Sequence, residues 1–222
     1  MATTNEEYIR AILKNLRGMD YIKPDEIPNI ELYMDQVTTF MDKHLKSSKR
    51  YEDDKMLTKT MINNYTKNNL LPSPNKKKYS KEHMLLLIFI YYFKSFLSIS
   101  DIQNIFDPLT EKFYEGNKKF NLEDIYKEVY KLEKEQVDSL SKDVIRKYEK
   151  AERVMTDKEK NEESEFLVTF YFICMLSFDV YVKKMIIEKM IDEKLVPMAS
   201  KKEKEKEKPK EKEKEKPKEK KV

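Results

Sequence analysis

The stretch LTKTMINNYTKNNLLPSPNKKKYSK, residues 57–81, decides how the chain is read. Thr58 stands directly before an apolar-periodic run, the position of an N-cap, where a hydroxyl takes up an orphan N–H of the first helical turn. Met61, Ile62 and Tyr65 follow at helical spacing and supply the inward face of a short helix. Asn68 and Asn69 end it, because Asn tolerates the left-handed conformation that a helix C-terminus often requires. Leu70 and Leu71 dock, and residues 72–75 (Pro-Ser-Pro-Asn) cannot continue a helix. Lys76, Lys77, Lys78 and Tyr79 come next, and then Ser80 caps a long apolar helix over 81–97.

Working outward, the pattern stays helical. Downstream, Ser98 opens a helix that carries Ile102, Ile105 and Phe106 up to Pro108. Upstream, residues 5–16 place Tyr8, Ile9, Ile12, Leu13 and Leu16 at helical spacing, and Pro24 and Pro28 bracket a loop. From Ile30 a helix follows with Tyr33, Met34, Val37, Phe40, Met41 and Leu45 on one face. Residues 121–148 carry an apolar stripe from Leu122 to Tyr148, and a break is expected near Thr156 and Asp157. The last helix, 162–195, is apolar nearly all round from 166 to 178. It is therefore expected to be buried, packed across the equally apolar helix at 81–97. Two glycines in 222 residues fit this picture, since strand-rich folds spend Gly on turns and bulges.

The composition excludes several kinds of chemistry. Gly18 and Gly116 are too far apart to build a phosphate loop or a dinucleotide fingerprint. His44 and His83 have no neighbouring ligand at metal spacing, and a single Cys174 allows neither an internal disulfide nor a Cys-based zinc site. Cys174 sits in an apolar run and is read as a buried thiol. No nucleophile has an evident base, so no catalytic site and no cofactor is expected. The start of the chain lacks the parts of a signal peptide. The apolar run 166–178 falls short of the roughly 20 residues a membrane span needs. A cytoplasmic protein without membrane contact is the expectation.

Charge is uneven along the chain. The formal net charge is +4, but the Lys/Glu/Pro tail at 200–222 holds twelve Lys and seven Glu, which leaves residues 1–199 at −1. Against that neutral body, residues 55–81 contain seven Lys (55, 59, 67, 76, 77, 78 and 81) and no acid. Such a patch suits phosphate, because lysines release condensed counterions on binding. It also suits a solvated basic face without a ligand, and charge alone does not choose between the two. The tail has too little hydrophobicity to fold and is read as a disordered, solubilising tether.

The order of short capped helix, Leu-Leu-Pro, basic loop with Tyr, long apolar helix and Ser-Ile-x-x-Ile resembles the winged helix-turn-helix of MerR-type regulators. Thr58 falls on the cap of the family's recognition helix. Ile62, Asn63, Asn64 and Tyr65 fall on its central element, Asn69-Leu70-Leu71-Pro72 on its exit, and Tyr79 on the wing tyrosine. Asn63 stands where the family has an arginine. The segment is also similar to a small Gram-positive family of unknown function, in which residues 32–36 and 57–65 recur.

The resemblance implies a helical bundle (all-α) that contains a MerR-like winged helix-turn-helix over 30–108. A helix and loop would precede it at 1–29, a helical part would follow at 109–199, and the tail would close the chain at 200–222. It implies a transcriptional regulator that binds double-stranded DNA through Thr58, Lys59, Thr60, Asn63, Asn64, Tyr65, Lys67, Lys76, Lys77, Lys78 and Tyr79. Lys59, Thr60, Asn63 and Asn64 would enter the major groove, where Asn can bond both N6 and N7 of adenine, while 76–78 would lie on phosphate. By the same analogy 121–148 or 162–195 would form a homodimer interface, with intramolecular burial as the other reading. The alternative to the regulator is a non-enzymatic helical interaction or scaffold protein.

Overall fold

The computed structural model describes residues 5–16, 22–54, 56–114, 120–155 and 161–196. The break expected at Thr156 and Asp157, the tail at 200–222 and Lys55 lie outside them. The chain is mostly helical, in the order α1 (Asn5–Leu16), β1 (Leu32–Tyr33), α2 (Met34–His44), α3 (Lys59–Lys67), β2 (Lys78–Tyr79), α4 (Lys81–Phe93), α5 (Ile99–Phe113), α6 (Leu122–Arg153) and α7 (Glu162–Met190). Short 3-10 turns lie at Pro24–Glu26 and Lys46–Ser48, and a π-helical turn, Ile191–Leu195, extends α7. The two strands pair antiparallel, Leu32 opposite Tyr79 and Tyr33 opposite Lys78.

The helix starts are written locally. Thr58 Oγ1 accepts from the Met61 amide at 3.2 Å and caps α3 as its position predicts. Ser98 and Asp101 cap α5 reciprocally, each backbone N–H donating to the other's side chain at 3.1–3.2 Å. Asn121 with Asp124 and Asn161 with Ser164 do the same for α6 and α7. At the start of α4 the Ser80 amide donates to Nδ1 of His83 at 3.0 Å, so the ring proton belongs on Nε2, where the Tyr114 hydroxyl stands 2.8 Å away. This buried imidazole ties the first turn of α4 to the end of α5.

The main core forms around α4, whose residues 83–90 are all buried. Val37 and Met41 of α2, Ile62 and Tyr65 of α3, Leu70, Leu71 and Tyr79, and Ile102 and Phe106 of α5 surround it. Leu122 and Tyr126 of α6 close it, together with Ile22 and Ile27 from the N-terminal loop. Burying an apolar side chain of this size contributes roughly 1.5–3 kcal/mol. A helix apolar on every side is stable only when enclosed in this way.

Five expectations need correction. The helix expected from Ile30 begins only at Met34, because Leu32 and Tyr33 pair as a strand with β2, and Tyr33 is exposed. The apolar helix after Ser80 ends at Phe93, four residues short of Leu97, and a tight turn over 94–97 separates it from α5. Helix α5 runs through Pro108 to Phe113; the proline gives up one backbone hydrogen bond, yet Ile102 and Phe106 already fix the helix in the core. The largest difference concerns α7. It lies antiparallel to α6, not across α4, and most of its apolar surface faces outward. Helix α4 already has neighbours on all sides, so a second all-round apolar helix finds no place beside it. Cys174, on α7, is exposed rather than buried.

Helices α6 and α7 form a hairpin whose two open ends are rooted in the main core. The start of α6 (Leu122, Tyr126) and the turn after α7 (Ile191) share the main core. Further out, Tyr148, Ala151, Met155, Val168 and Phe172 make a second, smaller cluster, against which Ile9 of α1 packs. Lys147 on α6 bridges Asp143 on its own helix and Asp179 on α7, the latter at 2.7 Å. At 1.5 Å per residue the 32 residues of α6 extend about 48 Å.

Candidate nucleic-acid interface

The exposed face of α3 follows from its buried one. With Ile62 and Tyr65 turned into the core, Lys59, Thr60, Asn63, Asn64 and Lys67 point to solvent along one side. Residues 60, 63, 64 and 67 repeat at i, i+3, i+4 and i+7, so they form a continuous polar stripe without an acidic group. At Asn69 the backbone takes φ 56°, the left-handed exit expected of an Asn.

The basic run 76–78 lies in a tight turn. The Lys78 amide donates to the Asn75 carbonyl at 2.8 Å, and Lys76 and Lys77 adopt φ values of 47° and 65°. Two successive positive φ angles define a type I′ turn, which favours Asn-Gly. Lysine at both positions accepts a steric penalty and gains two exposed cations at the tip. Neither Lys76, Lys77 nor Lys67 forms an ion pair among the described residues.

The other lysines of the run are engaged. Lys59 pairs with Asp35 at the start of α2, and Lys78 lies 3.6 Å from Glu31 and over the Tyr33 ring. The five residues 31–35 thus lie between the first turn of α3 and the basic turn, and hold both in one neighbourhood. Lys81 is mostly buried and pairs with Glu123 of α6 at 3.0 Å, which, behind Lys127, helps hold the Glu123 carboxyl below its ordinary range. These carboxylates lie outside the acid-free run 55–81. They come from elements that only the fold brings close.

Of the residues expected at an interface, Thr58 is half-buried and occupied with capping, and Tyr65 and Tyr79 are buried. Burial raises the phenol pKa of both tyrosines. Their hydroxyls are held protonated inside the protein, and their part is to seat α3 and β2. An open groove of about 570 Å³ lies beside this region, lined by residues of α2, the 49–58 connector and Lys59. Its charged groups are of mixed sign, acidic at Asp42, Asp53 and Asp54 and basic at Lys43, Lys49 and Lys59, so it favours neither an anion nor a cation. Among the described residues no group of three or more His, Cys, Asp or Glu side chains could hold a metal ion.

Residues 22–129 match the family described as "Domain of unknown function (DUF1836)". The match includes the 30–108 unit and adds the segments that close the main core, from Ile22 and Ile27 at one end to Leu122 and Tyr126 at the other. No curated protein and no solved structure matches the chain.

Proposed function

We propose that the chain is a DNA-binding regulator of MerR-like type, which places α3 in the major groove and the turn at 75–78 on phosphate. The observation that carries this reading is the acid-free exposed stripe of α3 beside a turn that offers Lys76 and Lys77 unpaired. With its side chains an α-helix is about 10–12 Å across, the size a major groove about 12 Å wide admits. In this reading Asn63 and Asn64 read base edges, Lys59, Thr60 and Lys67 flank them, and Lys76, Lys77 and Lys78 neutralise phosphate. Thr58, Tyr65 and Tyr79 position these groups from within.

A second reading is favoured by the ion pairs at Lys59, Lys78 and Lys81. These already neutralise part of the patch, as in a helical interaction or scaffold protein that does not bind DNA. Titration of genomic DNA fragments at several salt concentrations separates the two, with the triple variant Lys76→Ala/Lys77→Ala/Lys78→Ala alongside. The regulator should bind selectively, and the variant should lose affinity with a salt slope shallower by about 0.9 for each phosphate no longer neutralised. Absence of binding by the wild type at low salt would leave the scaffold reading. Asn63→Ala should still bind but with relaxed sequence preference; an unchanged preference would remove Asn63 from base readout.

A further inference from the structure

Helix α7 carries more apolar surface than an isolated soluble chain leaves in water. Phe166, Phe178, Val180 and Tyr181 are each 62–66 % exposed, and Phe170, Ile173 and Met185 are about half exposed. Counting about 100 Å² for each of these seven side chains gives roughly 700 Å², of which Phe166, Phe170, Ile173 and Tyr181 supply roughly 400 Å² along one stripe, with Phe178, Val180 and Met185 beside it. The total exceeds the largest patch of a typical monomer and approaches the roughly 800 Å² each partner contributes to a standard interface.

The order of residues along this face is informative. Residues 163, 166, 170, 173/174, 177, 181 and 184 follow spacings of three and four, the repeat of a helix seam that meets another helix. The same stripe reversed about the 173/174 midpoint matches itself in complementary chemistry. Glu163 then falls opposite Lys184, Phe166 opposite Tyr181, Phe170 opposite Ser177, and Ile173 opposite Cys174. The acidic first turn (Glu162, Glu163, Glu165) lies at one end of α7, and Lys183 and Lys184 lie toward the other. A parallel pairing would set Glu163 against Glu163 and Lys184 against Lys184.

We propose that α7 docks on α7 of a second copy of this chain, antiparallel about a two-fold axis at Ile173 and Cys174. Such an isologous contact buries the same stripe on both copies and opposes their helix dipoles. By length and composition Glu162–Leu195 is also the one helix among the described residues that could cross a membrane. The highly charged α6 lies along it, however, and Asp179 is tied to Lys147 of that helix. Insertion would need the hairpin to open, whereas pairing with a second copy leaves it intact.

The test uses the full chain without DNA, so its outcome is independent of the regulator reading. Sedimentation should show a dimer. Phe170→Asp, at an exposed position, should raise the dissociation constant by at least about a hundredfold, as loss of a central aromatic anchor does. Glu163→Lys alone should weaken the dimer, and Glu163→Lys/Lys184→Glu together should restore it, a rescue that only the antiparallel register gives. A short bis-maleimide should link two chains through Cys174, and Cys174→Ser should abolish the link. A monomer at every concentration would overturn the proposal. So would a wild-type chain that floats with lipid vesicles as a monomer, which would assign the face to lipid.

Discussion

The Tyr126 hydroxyl donates a 2.6 Å hydrogen bond to the backbone carbonyl of Ile22, and both residues are almost completely buried. This bond joins the entry of the 22–129 segment to its exit, since Ile22 opens it and Tyr126 lies on the first turns of α6. A buried carbonyl stripped of its donor costs about 1–3 kcal/mol. Tyr126→Phe should therefore lower the unfolding free energy by that amount, measured by urea denaturation with an unchanged slope. A loss below about 0.5 kcal/mol would mean that the carbonyl finds another donor.

The turn at 75–78 is predicted to trade stability for charge. Lys76→Asn/Lys77→Gly supplies the residues a type I′ turn prefers and should stabilise the fold by about 0.5–1 kcal/mol. If the turn lies on phosphate, the same variant should bind DNA more weakly with a shallower salt slope. A variant that is more stable and binds DNA unchanged would take the turn out of the interface.

Thr58 should matter through the helix it caps. Thr58→Ala removes the acceptor for the Met61 amide and should cost about 1 kcal/mol. Thr58→Asp restores an acceptor and should recover most of that loss. Hydrogen exchange at the Met61 amide checks both, with faster exchange expected only in the alanine variant.

The α6–α7 bridge should make itself felt in acid. Hydrogen bonds from Lys147, and then from Arg146, hold the Asp143 carboxyl below its ordinary pKa. A carboxylate depressed in the folded state adds stability above its unfolded pKa, and loses it as pH falls through the folded value. Hydrogen bonds to Asp143 and Asp179 in turn raise the Lys147 pKa. Lys147→Met should flatten the fall in melting temperature below about pH 4, where aspartates take up protons. The loss at neutral pH should stay under about 1 kcal/mol, because these groups meet solvent. An unaltered acid limb would show that the bridge does not couple to folding.

Much of the fold is legible residue by residue. Thr58, Asn69 and Ser98 announce helix ends by chemistry that acts within three or four positions, and Ile62, Tyr65, Ile102 and Phe106 announce the core by spacing. What the sequence hides is choice of partner. The runs at 84–90 and 166–178 both call for burial, but hydrophobicity records a need for cover and not what supplies it; α4 found neighbouring elements all round and α7 found one side of α6. The candidate site was legible as a count of lysines along the chain. Its real field was not, because Glu31, Asp35 and Glu123 enter it through strand pairing and helix packing. The left-handed backbone at Lys76 and Lys77 was also beyond reach, since those residues carry no turn signal of their own.

The hairpin's two roots have a mechanical consequence. Leu122 and Tyr126 fasten one leg, and Ile191 fastens the other, in the core that seats α4 and α3. A rod clamped this way works as a crowbar: a small sideways push at the Met155 end becomes torque at its foot. Whatever grips the far end of the hairpin therefore leans on the packing that aims Asn63 and Asn64.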